Sequence, residues 1–346
     1  MRKTLQGIII TSLMAFGLNA VSSINAFAQK DKYWGHQDFP YVEQRGWSLG
    51  MNIGLADMWG DVGTKSVIDR YNNKEVKDDL FANIRGMGGL YARYNHIPGL
   101  AFRIGINYGE VYATDAWNYD KAMDAEYVTE DPYQRYLRNL DAKTTIWELN
   151  AMVELSPIRA FGDWEFGKGP KRRFQPYVML GISGFYFNPR GKFTDLVTKQ
   201  EKWVDLRPLR TEGEGFVGSA TTYPKTYSVF SFAALGGVGV KWDIGQGLAL
   251  GLEWQLRYTF TDYLDDVSGV YANQIDRDIA YLDRPNRTSE LSTRMADKSR
   301  EIIPGYTNPA GAFRGNPDNN DMFSTLQVTL MWKVKWREIG WWSARR

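Results

Sequence analysis

One pattern constrains this chain more than any other. Large apolar residues alternate with small or polar ones at a period of two, again and again along the sequence. Leu248, Leu250, Leu252, Trp254, Leu256, Tyr258 and Phe260 make one face of a segment; Ala249, Gly251, Glu253, Gln255, Arg257, Thr259 and Thr261 make the other. Only an extended strand places residues i and i+2 on the same side. The pattern recurs at Leu326–Trp336, with Leu326, Val328, Leu330 and Trp332 against Gln327, Thr329 and Lys333. It recurs at Leu100–Tyr108, at Trp147–Leu155 and at Trp47–Leu55. Two Gly-rich segments, Arg85–Asn95 and Tyr227–Trp242, and a segment apolar on both faces, Phe174–Phe187, complete a set of eight expected strands. Most reach the ~9–11 residues that a tilted membrane-spanning strand needs.

Two architectures hide an apolar strand face: a soluble sandwich and a membrane barrel. The connections separate them. Short links at His96-Ile97-Pro98 and Asp243–Gly247, and a longer one at Ser156–Arg173, alternate with long ones at roughly 59–84, 110–142, 188–225 and 263–322. A bacterial outer-membrane barrel has short periplasmic turns and long outer loops. The expected fold is therefore all-β: an eight-stranded antiparallel transmembrane β-barrel with long outer loops, both termini periplasmic. Trp47, Tyr94, Trp242 and Trp336 fall at one set of strand ends, and Tyr108, Trp147 and Phe260 at the other. They suit the two aromatic girdles of such a barrel.

Composition narrows the chemistry. The 346 residues include no Cys and two His, with 14% aromatics, 34 Gly and a mean hydropathy of −0.43. Disulfide scaffolds, Cys-ligated metals and thiol catalysis are excluded. At the N-terminus, basic Arg2 and Lys3 precede an apolar run, Gly7–Leu18, and then Ala26-Phe27-Ala28. This is the order of a cleaved secretory signal peptide. The expected organisation is a signal peptide over 1–28, a periplasmic lead-in over 29–46, the barrel over 47–336 and a periplasmic tail over 337–346. Losing Arg2 and Lys3 takes Lys+Arg from 42 to 40, equal to Asp+Glu at 40. That balance gives no reason to expect a nucleic-acid partner.

Eight strands leave an interior that side chains can fill. The inward faces carry Arg93, Arg103, Glu148, Glu154, Lys241, Glu253, Arg257, Lys333 and Lys335. Charges in so narrow a space need partners, and Arg103 and Arg257 are expected to pair with Glu148 and Glu253. An ion-selective pore is the functional reading; a packed polar plug is the expectation. No cofactor pattern is present. His36 and His96 fall in the lead-in and in a turn at the periplasmic end, away from an outer-leaflet substrate, so no enzyme activity is expected. Asp262, Asp265 and Asp266 cluster after the seventh strand, where they read either as a calcium site or as a capping acidic turn. Asp57 and Asp61, with Gly60 and Gly63, read as a turn. Lys168, Lys171, Arg172 and Arg173 make a basic run on the periplasmic side, suited to an acidic partner, inner-leaflet head groups or solvent alone. Trp341-Trp342 lies within the tail, with Arg337, Arg345 and Arg346 about it, and suits an interfacial anchor or a partner contact. The 263–322 connection is partly helix-forming over Thr288–Arg300.

Several segments carry a family resemblance. Thr261-Asp262-Tyr263-Leu264-Asp265-Asp266-Val267-Ser268-Gly269-Val270-Tyr271 resembles a hallmark of the small outer-membrane barrel component of the type IX secretion system of Bacteroidota (PorG-like). Leu90–Asn95 resembles that family's second strand, and Pro176–Pro189 its fifth. Leu209–Gly215 resembles its Thr-Glu-Gly-Gln-Gly loop, with Glu214 in place of Gln, and Arg314-Gly315-Asn316-Pro317 the approach to its last strand. The resemblance spans roughly 47–336; the loops are longer than is typical, and the Arg/Trp tail is an addition. It implies a non-enzymatic barrel that tethers a periplasmic ring, formed by a lipoprotein and its partner, to the outer membrane. That apparatus exports proteins and, in many gliding bacteria, supports motility. The alternative is a general structural or small-solute transport barrel with ligand-binding outer loops.

Overall fold

The computed structural model describes residues 45–64, 85–97, 99–157, 174–195, 198, 200–217, 222–245, 247–281 and 288–334. The signal-peptide segment, nearly all of the lead-in, the basic run at Lys168–Arg173, Lys335, Trp336 and the tail lie outside the described residues.

Nine strands form one antiparallel sheet: β1 (Gly46–Trp59), β2 (Arg85–Ile97), β3 (Leu100–Thr114), β4 (Asp141–Leu155), β5 (Phe174–Thr194), β6 (Glu201–Asp205), β7 (Phe230–Gly245), β8 (Leu248–Thr259) and β9 (Met322–Lys333). Their order is β4-β3-β2-β1-β9-β8-β7-β5-β6, and β4 also pairs with β5, so the sheet closes on itself. Eight strands make the ring. β6 stands outside it, paired only with Arg190–Thr194 of β5. β7 leaves β5 at Tyr186–Phe230, and β6 supplies hydrogen-bond partners where β7 is absent. This short strand lies in what the sequence reads as a plain loop. It is the one strand without an alternating face.

Closure gives every ring strand two neighbours, so the barrel has no open edge. Gly99 and Gly247 turn the chain between β2 and β3 and between β7 and β8, with φ of 81° and 86°. Glycine takes this left-handed conformation without steric cost. The first and last described barrel residues lie together: the Val334 N–H donates to the Trp47 carbonyl at 3.0 Å. Both ends of the barrel segment therefore emerge at the end with the short turns. The opposite end carries the long loops, with α1 (Tyr119–Met123), α2 (Asp131–Arg138), α3 (Gln274–Ala280) and α4 (Thr288–Ala296).

The two faces are inverted relative to a soluble protein. Ile53, Leu90, Leu149, Ile182 and Phe232 are all about 60–70% exposed, and similar residues run around every ring strand. Soluble monomers seldom expose contiguous apolar patches above a few hundred Å². The inward residues Arg93, Arg103, Glu148, Glu253 and Arg257 are buried. Apolar outside and polar inside is the pattern of a membrane-spanning barrel. Among the described residues no helix is long and apolar enough to cross a membrane. Aromatic contacts band both ends of the belt: Trp47 and Tyr94 have ring centroids 5.1 Å apart at the turn end, and Tyr108 and Trp147 4.5 Å apart at the loop end.

The phase of β5, ambiguous in sequence, is fixed by pairing. Val178, Leu180 and Ile182 face out, while Tyr177, Met179, Phe185 and Phe187 are buried. Its double apolarity has a physical cause. At the loop end the interior is not polar: Met58, Ile146, Phe187 and Phe323 form one buried cluster with Leu264 and Val267, which descend from the loop after β8. Inward residues there meet protein instead of water.

Candidate functional site: the sealed lumen and the capped mouth

The lumen is closed by ion pairs that cross it. Arg103 on β3 bonds Glu253 on β8 at 2.7 Å, and these strands stand opposite each other in the ring. Arg257 on β8 engages Glu148 on β4 through two bonds, Nε–Oε1 at 3.0 Å and Nη2–Oε2 at 3.1 Å. Glu154 gathers three cations: Arg93 at 2.6 Å, Arg103 at 3.3 Å and Lys241 at 3.4 Å. Neutral groups complete the lattice. Asn52 donates to Asn107, Asn107 to Glu148, Tyr177 to Glu253, and Arg257 to Thr325. Every ring strand contributes a side chain. The Arg103 guanidinium also lies 3.6 Å from the centroid of the Tyr91 ring. Each of these carboxylates faces its cations directly across the interior, as side chains filling an eight-stranded barrel would.

Above the lattice, the loop after β8 folds back into the mouth. Leu264 and Val267 are fully buried and hang from backbone contacts to several neighbours. The Leu264 N–H donates to Asp321 Oδ2 at 2.8 Å, and its carbonyl accepts from the Thr144 hydroxyl of β4. Asp265 accepts from the N–H groups of Val62 at 2.8 Å and Val267 at 3.0 Å. Asp266 adopts φ 65° and takes the Thr211 and Tyr227 hydroxyls. Asp265 and Asp266 thus bind chain, as capping residues do. Among the described residues no group of three or more His or carboxylate side chains is arranged to hold a metal ion.

Glu212 joins three separate segments. It accepts from the N–H groups of Ser268 and Gly269, both at 2.9 Å, and from Arg314 at 3.0 Å. Arg314 also donates to the Asp266 carbonyl at 2.7 Å. The segments 209–215, 261–271 and 314–317, far apart in sequence, therefore meet at one carboxylate. A second arginine closes the other side. Arg138, from the end of α2, holds Asp115 through two bonds of 2.7 and 2.8 Å and donates to the carbonyls of Asp61 and Arg314.

The cap is rich in buried acid. Burial, and then Asp265 and Asp61 nearby, push Asp262 up to about 8. Burial and the Asp61 charge push Asp265 up to about 7. Burial and Glu214 raise Asp266 to about 8, while burial and Glu212 raise Glu214 to about 7. Asp321 rises well above the usual carboxylate range through burial, Asp265 and Asp262. In each case loss of hydration disfavours the charged form and neighbouring carboxylates add to it.

Of the residues singled out in sequence, Arg103, Glu148, Glu253 and Arg257 lie in the lumen lattice. Asp262, Tyr263, Leu264, Asp265, Asp266, Ser268 and Gly269 lie in the cap. Lys168, Lys171, Arg172 and Arg173 lie outside the described residues. His96 is exposed at the end of β2 beside Tyr94 and Phe102. Sequence reading missed Asp115, Arg138 and Asp321, which organise the cap from non-periodic loops. Its only pointer to Glu212 and Arg314 was the family resemblance.

No family model matches this chain, and no curated protein matches it. Solved structures with a similar outline include Neisserial surface protein A (8% identity, TM-score 0.33, covering 84% of this chain and 97% of that one). Ail of Yersinia pestis is also similar, at 8% identity and TM-score 0.31 over 84% and 100% of the two chains. OprG of Pseudomonas aeruginosa gives 9% and 0.32 over 85% and 100%. Likeness at this level bears on neither family nor activity. The barrel is established by its own strand pairing.

Proposed function

We propose that this chain is a non-enzymatic outer-membrane barrel that serves as a membrane anchor in the type IX protein secretion machinery, and in gliding bacteria in motility. Its belt sits in outer-membrane lipid, with the short turns and both termini in the periplasm. There it holds the periplasmic ring, built from a lipoprotein and its partner, through the basic run Lys168–Arg173.

One observation carries this reading. Three of the segments that resemble the type IX barrel component, 209–215, 261–271 and 314–317, converge on Glu212. A resemblance built from chance matches has no reason to assemble into one buried cluster. The cross-lumen pairs add to it, since a barrel closed by Arg103–Glu253 and Arg257–Glu148 suits an anchor better than a conduit.

The test is affinity purification from the native outer membrane in mild detergent, with mass spectrometry of what accompanies the barrel. Co-purification of ring proteins is expected, together with its weakening by charge reversal across Lys168–Arg173. A barrel that purifies alone while the ring stays intact elsewhere refutes the role. Unchanged co-purification after the charge reversal refutes the docking site alone.

A further inference from the structure

Gly60, Asp265 and Asp321 meet where the chain leaves β1, leaves β8 and enters β9. A Cβ on Gly60 would sit 2.5 Å from Asp265 Oδ2 and 2.5 Å from Asp321 Oδ1. Both oxygens therefore crowd one point and lie no farther apart than twice that distance. Each carboxylate is already anchored, Asp265 by the N–H groups of Val62 and Val267 and Asp321 by that of Leu264 through Oδ2. Asp321 Oδ1 is different. It is buried and has no hydrogen-bond partner among the described residues.

Among the described residues, none of the neighbouring groups supplies a cation to that oxygen. Asp61 follows β1, Asp262, Tyr263 and Asp266 share the segment of Asp265, and Glu212 and Glu214 approach from the loop before β7. Arg138, flanked by Arg135 on α2, is held by Asp115, and Arg314 by Glu212. Two ionised carboxylates facing each other in a buried site repel strongly, and one shared proton removes the conflict.

We propose that Asp265 and Asp321 share a proton, and that this proton latches the 261–271 segment onto the barrel mouth, making the cap sensitive to pH. Releasing it leaves like charges on the segments that carry Val62, Leu264 and Val267. The cap then lifts while the barrel below keeps its own pairing. The sign follows from linkage. The closed cap binds more protons than the open one, so closure is favoured at acid pH. It weakens as pH rises above the ordinary carboxylate range, through about 7 for Asp265 and on upward for Asp321, which is raised well above that range. Each linked proton lowers the closed-to-open ratio by up to about tenfold per pH unit in that window.

The experiment is hydrogen exchange on the whole protein in detergent or nanodiscs, corrected for intrinsic rates, at about pH 6 and about pH 8. Protection of 261–271 is expected to fall by about tenfold or more relative to 248–259 in β8. Asp321→Asn replaces the shared proton with an amide N–H that can donate to Asp265. It is expected to keep the cap closed and to remove one proton's share of the slope, about tenfold per unit. Should that variant not show the heat-shifted gel mobility of a folded barrel, Asp265→Asn takes its place. Equal protection of 261–271 at both pH values in the unmutated protein overturns the proposal, and so does an unaltered slope in a folded variant. Added calcium that restores protection at the higher pH, and fails to do so in Asp321→Asn, also overturns it, in favour of a bound cation.

Discussion

Replacing Arg257 with Met puts a number on the lumen lattice. Arg257 is fully buried and makes two bonds to Glu148, one to Thr325 Oγ1 at 2.6 Å and one to Gln255 Oε1 at 2.7 Å. Its guanidinium also lies 5.3 Å from the Phe323 ring centroid. Met approximates its stem and restores none of these bonds. Glu148 is left buried with Asn107 at 2.7 Å and Asn150 at 3.4 Å. Breaking a buried ion pair from one side costs about 3–5 kcal/mol, or roughly two to four orders of magnitude in the folding equilibrium. Removing Glu148 as well, as Arg257→Met with Glu148→Leu, eliminates the stranded charge and is expected to return to within about 2 kcal/mol of the unmutated protein. The assay is a double-mutant cycle of urea unfolding in lipid vesicles, read by the mobility shift between folded and boiled barrel. A single variant that loses less than about 1 kcal/mol, or a double variant whose loss equals the sum of the singles, refutes a buried, mutually dependent pair.

Other outcomes follow from the cap. Gly60→Ala places a Cβ against Asp265 Oδ2 and Asp321 Oδ1 and should cost about 1–3 kcal/mol, seen as faster proteolysis within 261–271 with the barrel's heat-shifted mobility retained. Glu212→Ala strands Arg314 and the N–H groups of Ser268 and Gly269. It should loosen the cap by about 3–5 kcal/mol, read as hydrogen exchange across 209–215 and 314–317 together. Leu264→Ala removes a fully buried side chain from the mouth cluster and should lower stability by about 2–5 kcal/mol, measured as a lower urea midpoint.

The ring strands were legible because lipid on one side and a packed polar interior on the other impose a period of two that solvent cannot blur. Leu248–Phe260 shows it in full, and β8 lies there. Where that contrast fades, so does legibility. Phe185 and Phe187 point inward yet are apolar, since they meet Leu264 and Val267 from the loop, and no local pattern announces an inserted loop. β6 pairs with the overhang of β5 beyond the ring, so its residues Glu201–Asp205 face no lipid and carry no alternation. The partners of Arg103 and Arg257 could be named as a set because a narrow lumen must neutralise its charges. Which acid meets which arginine depends on barrel stagger, which the sequence does not display. The cap was the least legible part. Asp115 and Arg138 act from the connection between β3 and β4 and Asp321 from that between β8 and β9, and it is the closed barrel that brings the two connections together.

Single-channel recording of the purified barrel in a planar bilayer tests the central claim, a lumen sealed by cross-lumen ion pairs beneath a folded cap. No steady openings are predicted, at either sign of voltage. Steady, nanosiemens-scale openings would contradict the sealed lumen and with it the reading of this chain as an anchor.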